Sequence, residues 1–214
     1  MMGGDHRAAH WDAVYQSKSD AQVSWHQPDA GPSLPMLRAS GLAPGCGPVL
    51  DVGGGTARLV DGLLAEGWQD ITVLDLSPTA LARSRSRLAA QAARIHWVVA
   101  DIVDWQPPGP IALWHDRAVF HFLTDDRERI AYLTKLRDAL AAFPGRGQAV
   151  IGGFSLSGPE KCSGLPVRRH DLALWQESLV VVGGDMAVLD HLTVSHCTPW
   201  GSEQDFLFVR LGWA

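Results

Sequence analysis

VLDVGGGTARLVDGLLAEGW, residues 49–68, passes from a short apolar run through an aspartate and three consecutive glycines into an amphipathic pattern. Val49, Leu50 and Val52 read as the end of a buried strand, Gly53, Gly54 and Gly55 as a tight turn, and Leu59, Leu63 and Leu64 as one face of a helix. Such a strand–turn–helix unit bares its backbone at the turn.

The pattern continues downstream. ITVLDLS (71–77) reads as a second buried strand, and Ser77-Pro78 opens a helix to about Ala92, because serine caps and proline fits the first turn. IHWVVAD (95–101) and IALWHD (111–116) follow as strands three and four. A helix starts near Asp125, where Asp125 and Glu128 have capping-box spacing and Ile130, Leu133, Leu136 and Leu140 form the expected buried stripe. QAVIGGFS (148–155) is strand five, the 156–170 loop is long enough to suggest function, and a helix runs from Asp171 to about Leu179. The alternating segments 186–199 and 202–212 close the chain as an antiparallel hairpin. Upstream, residues 6–17 read as a helix presenting Trp11, Val14 and Tyr15, and a second helix runs from about Ser33 to Ser40 before GLAPGCGP stops it.

Alternating strands and helices imply an α/β fold: a doubly wound, mostly parallel seven-stranded sheet with the hairpin supplying an antiparallel member. A length of 214 residues fits a single domain over 1–214, with 1–45 as an N-terminal helical cap on a core of 46–214.

Composition excludes several classes. A net charge of −5 without any basic run disfavours nucleic acid. Nothing approaches the roughly 18 apolar residues of a spanning helix, and the N-terminal stretch MMGGDHRAAHWD lacks a signal-peptide layout, so no membrane partner is expected. Three unclustered cysteines suit reduced thiols and a cytoplasmic location. Cys162, His170, His191, His196 and Cys197 match no zinc spacing, so no metal is expected, and they read as buried cysteines and strand-surface histidines. Composition is silent on oligomeric state.

In a doubly wound sheet, ligands bind beyond the carboxyl ends of the strands. Asp51, Asp75 and Asp101 end strands one, two and three, and a carboxylate ending strand two is placed to accept hydrogen bonds from both hydroxyls of a ribose. A dinucleotide is the first candidate, since Gly53 and Gly55 match the start of G-x-G-x-x-G. Its third position, however, is Arg58, and Asp51 is awkward beside a pyrophosphate. A cationic, phosphate-free nucleoside suits these acids better. S-adenosylmethionine has a ribose for Asp75, an adenine for Asp101 and Ile102, and an ammonium and sulfonium for nearby carboxylates.

With LDVGGGTARL as a glycine-rich first motif, VLDLS as an acidic second, VVADIVDW as an adenine-contacting third and a reversed last strand, the chain resembles the class I S-adenosylmethionine-dependent methyltransferases over nearly its whole length. Ala57 stands where their usual pattern has its third glycine. More narrowly, WDAVY, VSWHQPDAGPSL, WHDRAVFHFLTD and KCSGLPVRRH resemble a group of small, mostly bacterial methyltransferases of unassigned substrate. Asp116-Arg117 after an apolar strand is also similar to an acid-Lys-Gly segment of elongation-factor lysine methyltransferases. The Trp11, Tyr15 and Trp25 layout is similar to small-molecule thiol and halide methyltransferases.

The resemblance implies S-adenosylmethionine bound by Trp25, Asp51, Gly53, Gly54, Gly55, Asp75, Leu76, Asp101, Ile102 and His115, with Trp11 and Trp25 in a segment folded over it. Asp116 and His121 are the candidate proton acceptors, and Tyr15, Arg117 and Cys162 the candidate substrate contacts. The expected reaction is in-line methyl transfer to a small-molecule thiol, amine or oxygen, with a protein lysine as the alternative acceptor. A nicotinamide-dependent oxidoreductase and a non-catalytic S-adenosylmethionine-binding protein are the rival functions.

Overall fold

The computed structural model describes residues 4–213. The first three residues, part of the N-terminal stretch read as lacking a leader, and Ala214 lie outside the described residues. Seven strands form one sheet: β1 (Val49–Val52), β2 (Ile71–Asp75), β3 (Ile95–Val99), β4 (Leu113–Arg117), β5 (Gln148–Phe154), β8 (Met186–Cys197) and β9 (Glu203–Trp213). Their spatial order is β3-β2-β1-β4-β5-β9-β8, all parallel except β9, which runs antiparallel to both β5 and β8. The order reverses beside β1, which creates the crevice at its carboxyl end. The expected sheet and terminal hairpin are both present.

Helices cover both faces. On one, α2 (Ser33–Arg38), α3 (Leu59–Ala65) and α4 (Pro78–Leu88) bury Leu37, Leu63 and Leu81 against Val49, Val73 and Leu113. On the other, α5 (Asp126–Ala141) and α6 (Leu172–Val182) bury Tyr132, Leu136 and Trp175 against Leu50, Val52 and Trp114. Period-2 alternation along β1 and β4 sorts the side chains between these layers. The predicted caps form where expected: Ser77 Oγ accepts from the Ala80 N–H at 3.0 Å, and the Asp125 and Asp171 carboxylates cap α5 and α6.

Three details differ from the sequence reading. Ile130 is exposed, because α5 buries its 132/133/136/139/140 stripe and Ile130 sits roughly 120° around the helix from the centre of that stripe. Glu128 does not close a capping box; it pairs with Arg7 instead. The 156–170 loop holds a two-stranded ladder of β6 (Lys161–Cys162) and β7 (Leu165–Pro166).

The crossover from β3 to β4 carries no helix among the described residues. The buried Lys135 on α5 holds it instead, its ammonium donating to the carbonyls of Ile102, Val103 and Trp105. Replacing Lys135 by Met strands these acceptors. The expected cost is roughly 2 kcal/mol, a fall in Tm of about 4–8 °C, with faster hydrogen exchange confined to amides 101–106. Unchanged exchange there would rule out this role.

Candidate active site

At the β1–α3 turn, Gly53 has φ +67° and a Cβ there would lie 2.1 Å from Val119 Cγ2. A Cβ on Gly54 would lie 2.5 Å from Val73 Cγ1 and 2.7 Å from Asp51 Oδ2. The sequence therefore folds into a side-chain-free turn because neighbours already occupy the space, and that leaves peptide groups open to a ligand.

Beside this turn lies a cavity of about 760 Å³, open solvent at its mouth included. One end is walled by Asp75, Leu76, Asp101 and Ile102, the other by Trp11, Trp25, Phe122, Arg117 and Cys162. A second cavity of about 550 Å³ is lined by Asp51, His115, Ser33, Gly54 and Arg58. Tyr15, Trp25, Gly53 and Arg117 border both, so the two are halves of one crevice.

The electrostatics follow from burial. Asp75 Oδ1 accepts from the Ser77 N–H at 2.8 Å, yet burial, against that bond and aided by the nearby Asp51, pushes its carboxyl up to about 7. Asp51 Oδ1 lies 2.7 Å from His115 Nδ1, and His115 Nε2 lies 2.8 Å from Ser33 Oγ. A carboxylate can only accept, so Nδ1 donates to Asp51, and Nε2 shares a hydrogen bond with the serine hydroxyl. Arg117 Nη1 donates to the Trp25 carbonyl at 2.9 Å, while its Nε and Nη2 are buried without a hydrogen-bond partner among the described residues. Burial lowers this guanidinium to about 10.

Helix α1 (Gly4–Ser17) roofs the crevice. Arg7, Trp11 and Tyr15, spaced i, i+4, i+8 on one face, all line the larger cavity. Arg7 reaches Asp101 and Glu128, each at 2.9 Å. Asp12 accepts from Ser77 Oγ at 2.7 Å and the Thr79 N–H at 3.0 Å, so α1 docks on the start of α4. The Trp11 ring packs edge-on against Trp25 and Phe122, and the Trp25 indole donates to the Tyr15 hydroxyl at 3.2 Å.

Most of the residues expected from sequence meet here: Tyr15, Trp25, Asp51, Gly53, Gly54, Asp75, Leu76, Asp101, Ile102, His115, Arg117 and Cys162 all line one half or the other. Gly55 lies in the same turn with φ +44°, against the Tyr15 hydroxyl. Asp101 arrives already engaged, by Arg7 and by the Val103 N–H at 2.9 Å.

The two expected proton acceptors do not reach the crevice. Asp116 faces the α5 layer, where it accepts from the Tyr132 hydroxyl at 2.6 Å and from the N–H groups of Val119 and Phe120. Burial pushes it up to about 6 despite these bonds. His121 is enclosed by Phe122 and Phe154, and burial with the Arg117 charge lowers it to about 3, so it stays neutral. In this structure Asp116 bonds a phenol and the turn after β4, and His121 packs among aromatic rings. His170 and His196, expected on a strand surface, are buried too: His170 stacks on Phe120 and contacts Arg129, and His196 Nε2 binds the Ser24 carbonyl at 2.6 Å. Of the cysteines, Cys162 is buried while Cys46 and Cys197 are exposed. No group of histidine, cysteine and acidic side chains among the described residues could hold a metal. No helix among them is long and apolar enough to cross a membrane.

Sequence reasoning missed Arg7, Phe122 and Ser33. The 7/11/15 spacing was a usable signal for Arg7. Ser33 depended on where α2 docks, which no local pattern carries.

Residues 49–142 match the family profile described as "Methyltransferase domain". A search of curated proteins returns no match. Among solved structures, the chain is similar to the 1,6-didemethyltoxoflavin-N1-methyltransferase of Burkholderia thailandensis, solved with 1,6-didemethyltoxoflavin and S-adenosylhomocysteine. Identity is 19%, TM-score 0.73, and coverage 100% of this chain and 92% of that one. It is similar at 22% identity and TM-score 0.73 to a protein that converts a disulfide bond into a thioacetal group during echinomycin biosynthesis, over 96% and 92% of the two chains. The N-methyltransferase NodS from Bradyrhizobium japonicum, solved with S-adenosylhomocysteine, aligns at 14% identity and TM-score 0.67 over 94% and 97%. At these identities the likenesses establish the fold.

Because Asp116 satisfies two backbone donors and a buried phenol, Asp116→Ala is expected to cost roughly 2–4 kcal/mol, a fall in Tm of about 4–16 °C. A variant as stable as the parent would contradict the structural role.

Proposed function

We propose that this chain, whose residues 49–142 belong to the methyltransferase-domain family, methylates a small-molecule nucleophile. It is a class I methyltransferase, and S-adenosylmethionine is its methyl donor. The observation that carries the acceptor class is the aromatic lining of the crevice. The end away from Asp75 is a chamber walled by Trp11, Trp25, Phe122 and Cys162 beneath α1, which suits a small guest better than a loop of a folded protein. The lysine-methyltransferase likeness rested on Asp116-Arg117, and Asp116 faces away from this chamber.

The residues fit the donor. Gly53 and Gly54 keep the turn free of side chains, Asp75 offers a buried acceptor to two ribose hydroxyls, and Leu76 and Ile102 flank the place for the adenine. Asp51, fixed by His115, faces the ammonium, and Arg58 at the turn lies on the carboxylate side.

Bound there, S-adenosylmethionine supplies an activated methyl: the acceptor lone pair bonds to its carbon as the C–S bond breaks and the electron pair returns to sulfur, giving methylated product and S-adenosylhomocysteine. The protein's own contribution is to align acceptor and donor and to exclude water. Trp11, Trp25 and Phe122 pack edge-on along the chamber's wall, and α1, which carries Trp11, covers it. No step requires a covalent enzyme intermediate.

Three outcomes test this reading. Labelled methyl transfer from S-adenosylmethionine into a panel of small acceptors and a cell lysate is expected to label small molecules; label confined to protein would overturn the acceptor class. Asp75→Ala is expected to weaken S-adenosylhomocysteine binding by roughly 30-fold or more, two hydrogen bonds to a charged group being lost, as read by calorimetry. Unchanged affinity would remove Asp75 from the ribose site. Because the free Asp75 carboxyl sits at about 7 and ribose hydroxyls favour its ionised form, affinity in the parent is expected to fall as pH drops from 8 to 6. The slope approaches about tenfold per unit below the free value, and Asp75→Asn abolishes it.

A further inference from the structure

Arg117 is a cation bordering both halves of the crevice. It stands at the end of β4, forms no ion pair among the described residues, and donates one hydrogen bond, from Nη1 to the Trp25 carbonyl. Its Nε and Nη2 are buried with no partner, and the guanidinium lies 5.4 Å from the Phe206 ring centroid. The contrast with Arg129 is instructive. That arginine is also buried, but it spends its donors on the Leu123 carbonyl and His170 and lies 4.1 Å over the Phe120 ring, within the core. Arg117 instead borders the crevice, beside Trp25, Phe122 and Cys162.

A desolvated guanidinium with free N–H groups is costly unless a ligand answers it, and its forked geometry matches a carboxylate or another anionic oxygen. We propose that Arg117 is the recognition residue for the methyl acceptor, and that the acceptor is a planar aromatic molecule bearing an anionic oxygen, a carboxylate or an acidic hydroxyl. This rests on the methyltransferase reading above. The aromatic part is dictated by the chamber's walls, Trp11, Trp25 and Phe122.

The chemistry of the chamber agrees. Tyr15 and Cys162 are its other titratable groups at this end. Burial raises both, the thiol to about 11, so neither is a base at neutral pH. An acceptor oxygen stabilised as its anion by Arg117 needs no protein base. If that oxygen is the nucleophile, an anion and a sulfonium become two neutral products, no proton moves in the transfer, and the methylated product loses its hold on the guanidinium.

Calorimetry with 2-naphthoate and its neutral counterpart 2-naphthamide, on the full chain with and without saturating S-adenosylhomocysteine, tests the assignment. The parent is expected to bind naphthoate at least tenfold more tightly than naphthamide. Arg117→Gln is expected to erase that preference while S-adenosylhomocysteine affinity stays within about twofold. Arg117→Lys, which keeps the charge without the fork, is expected to retain part of the preference and guards against a folding defect. Equal binding of the two probes by the parent, or binding of neither, would overturn the proposal. So would an Arg117→Gln variant that loses tenfold in S-adenosylhomocysteine affinity with the preference intact, since the guanidinium would then belong to the donor's carboxylate. Failure of S-adenosylhomocysteine to bind at all would overturn the donor reading alone, because the naphthoate preference is also read without it.

Discussion

In β4 the side chains of Leu113, His115 and Arg117 leave one face of the sheet and those of Trp114 and Asp116 leave the other, and the crevice depends on that alternation. Asp116, sent into the α5 layer, gathers the Tyr132 hydroxyl and the N–H groups of Val119 and Phe120 on one carboxylate. That pins the turn after β4, including Ala118 at φ +68°, and presses Val119 against the glycine turn after β1. With the turn fixed, His115 and Arg117 emerge on the crevice side. There His115 meets Asp51 across the parallel β1–β4 register and Arg117 reaches the chamber. A buried, multiply bonded carboxylate thus works at a distance from the chemistry, by aiming the residues on either side of it.

The roof is built differently from the floor. The sheet and its two helical layers are close-packed apolar surface, whereas α1 is attached through Arg7, Asp12, Arg83 and the edge-on contacts of Trp11. Tyr15 on the same helix is buried, so the roof combines these polar contacts with apolar packing. The same contacts place the Trp11, Tyr15 and Trp25 rings along the crevice. One carboxylate, Asp101, serves both purposes, lining the cavity and receiving Arg7.

The succession of strands along the chain, the glycine turn and the acidic strand ends were legible because each is written locally: apolar runs of strand length, turn residues, and carboxylates where strands stop. That Asp51, Gly53 and Asp75 meet at one crevice was therefore readable. The acceptor half was readable only in membership. Tyr15, Arg117 and Cys162 do line one cavity, whereas Asp116 and His121, read as proton acceptors because strand four ends at the cleft, do not line it. A one-residue step along a strand reverses the face, and a residue past the strand end can turn into the core, as His121 does between Phe122 and Phe154. Ile130 failed for the helical version of the same reason, since its phase on α5 is set by where the helix docks. Arg7 and Ser33 reach the site through tertiary docking of α1 and α2, which composition and spacing express weakly.

The central claim is that one crevice holds a nucleoside methyl donor against Asp75 with its sulfur facing the chamber of Trp25, Phe122, Arg117 and Cys162. A crystal structure of the chain with S-adenosylhomocysteine tests it most directly. The account predicts both ribose hydroxyls within hydrogen-bond distance of the Asp75 carboxylate, the amino-acid end beside Asp51 and the glycine turn, and the sulfur open toward Arg117 and Cys162. A nucleoside bound away from Asp75, or a sulfur directed away from that chamber, would contradict it.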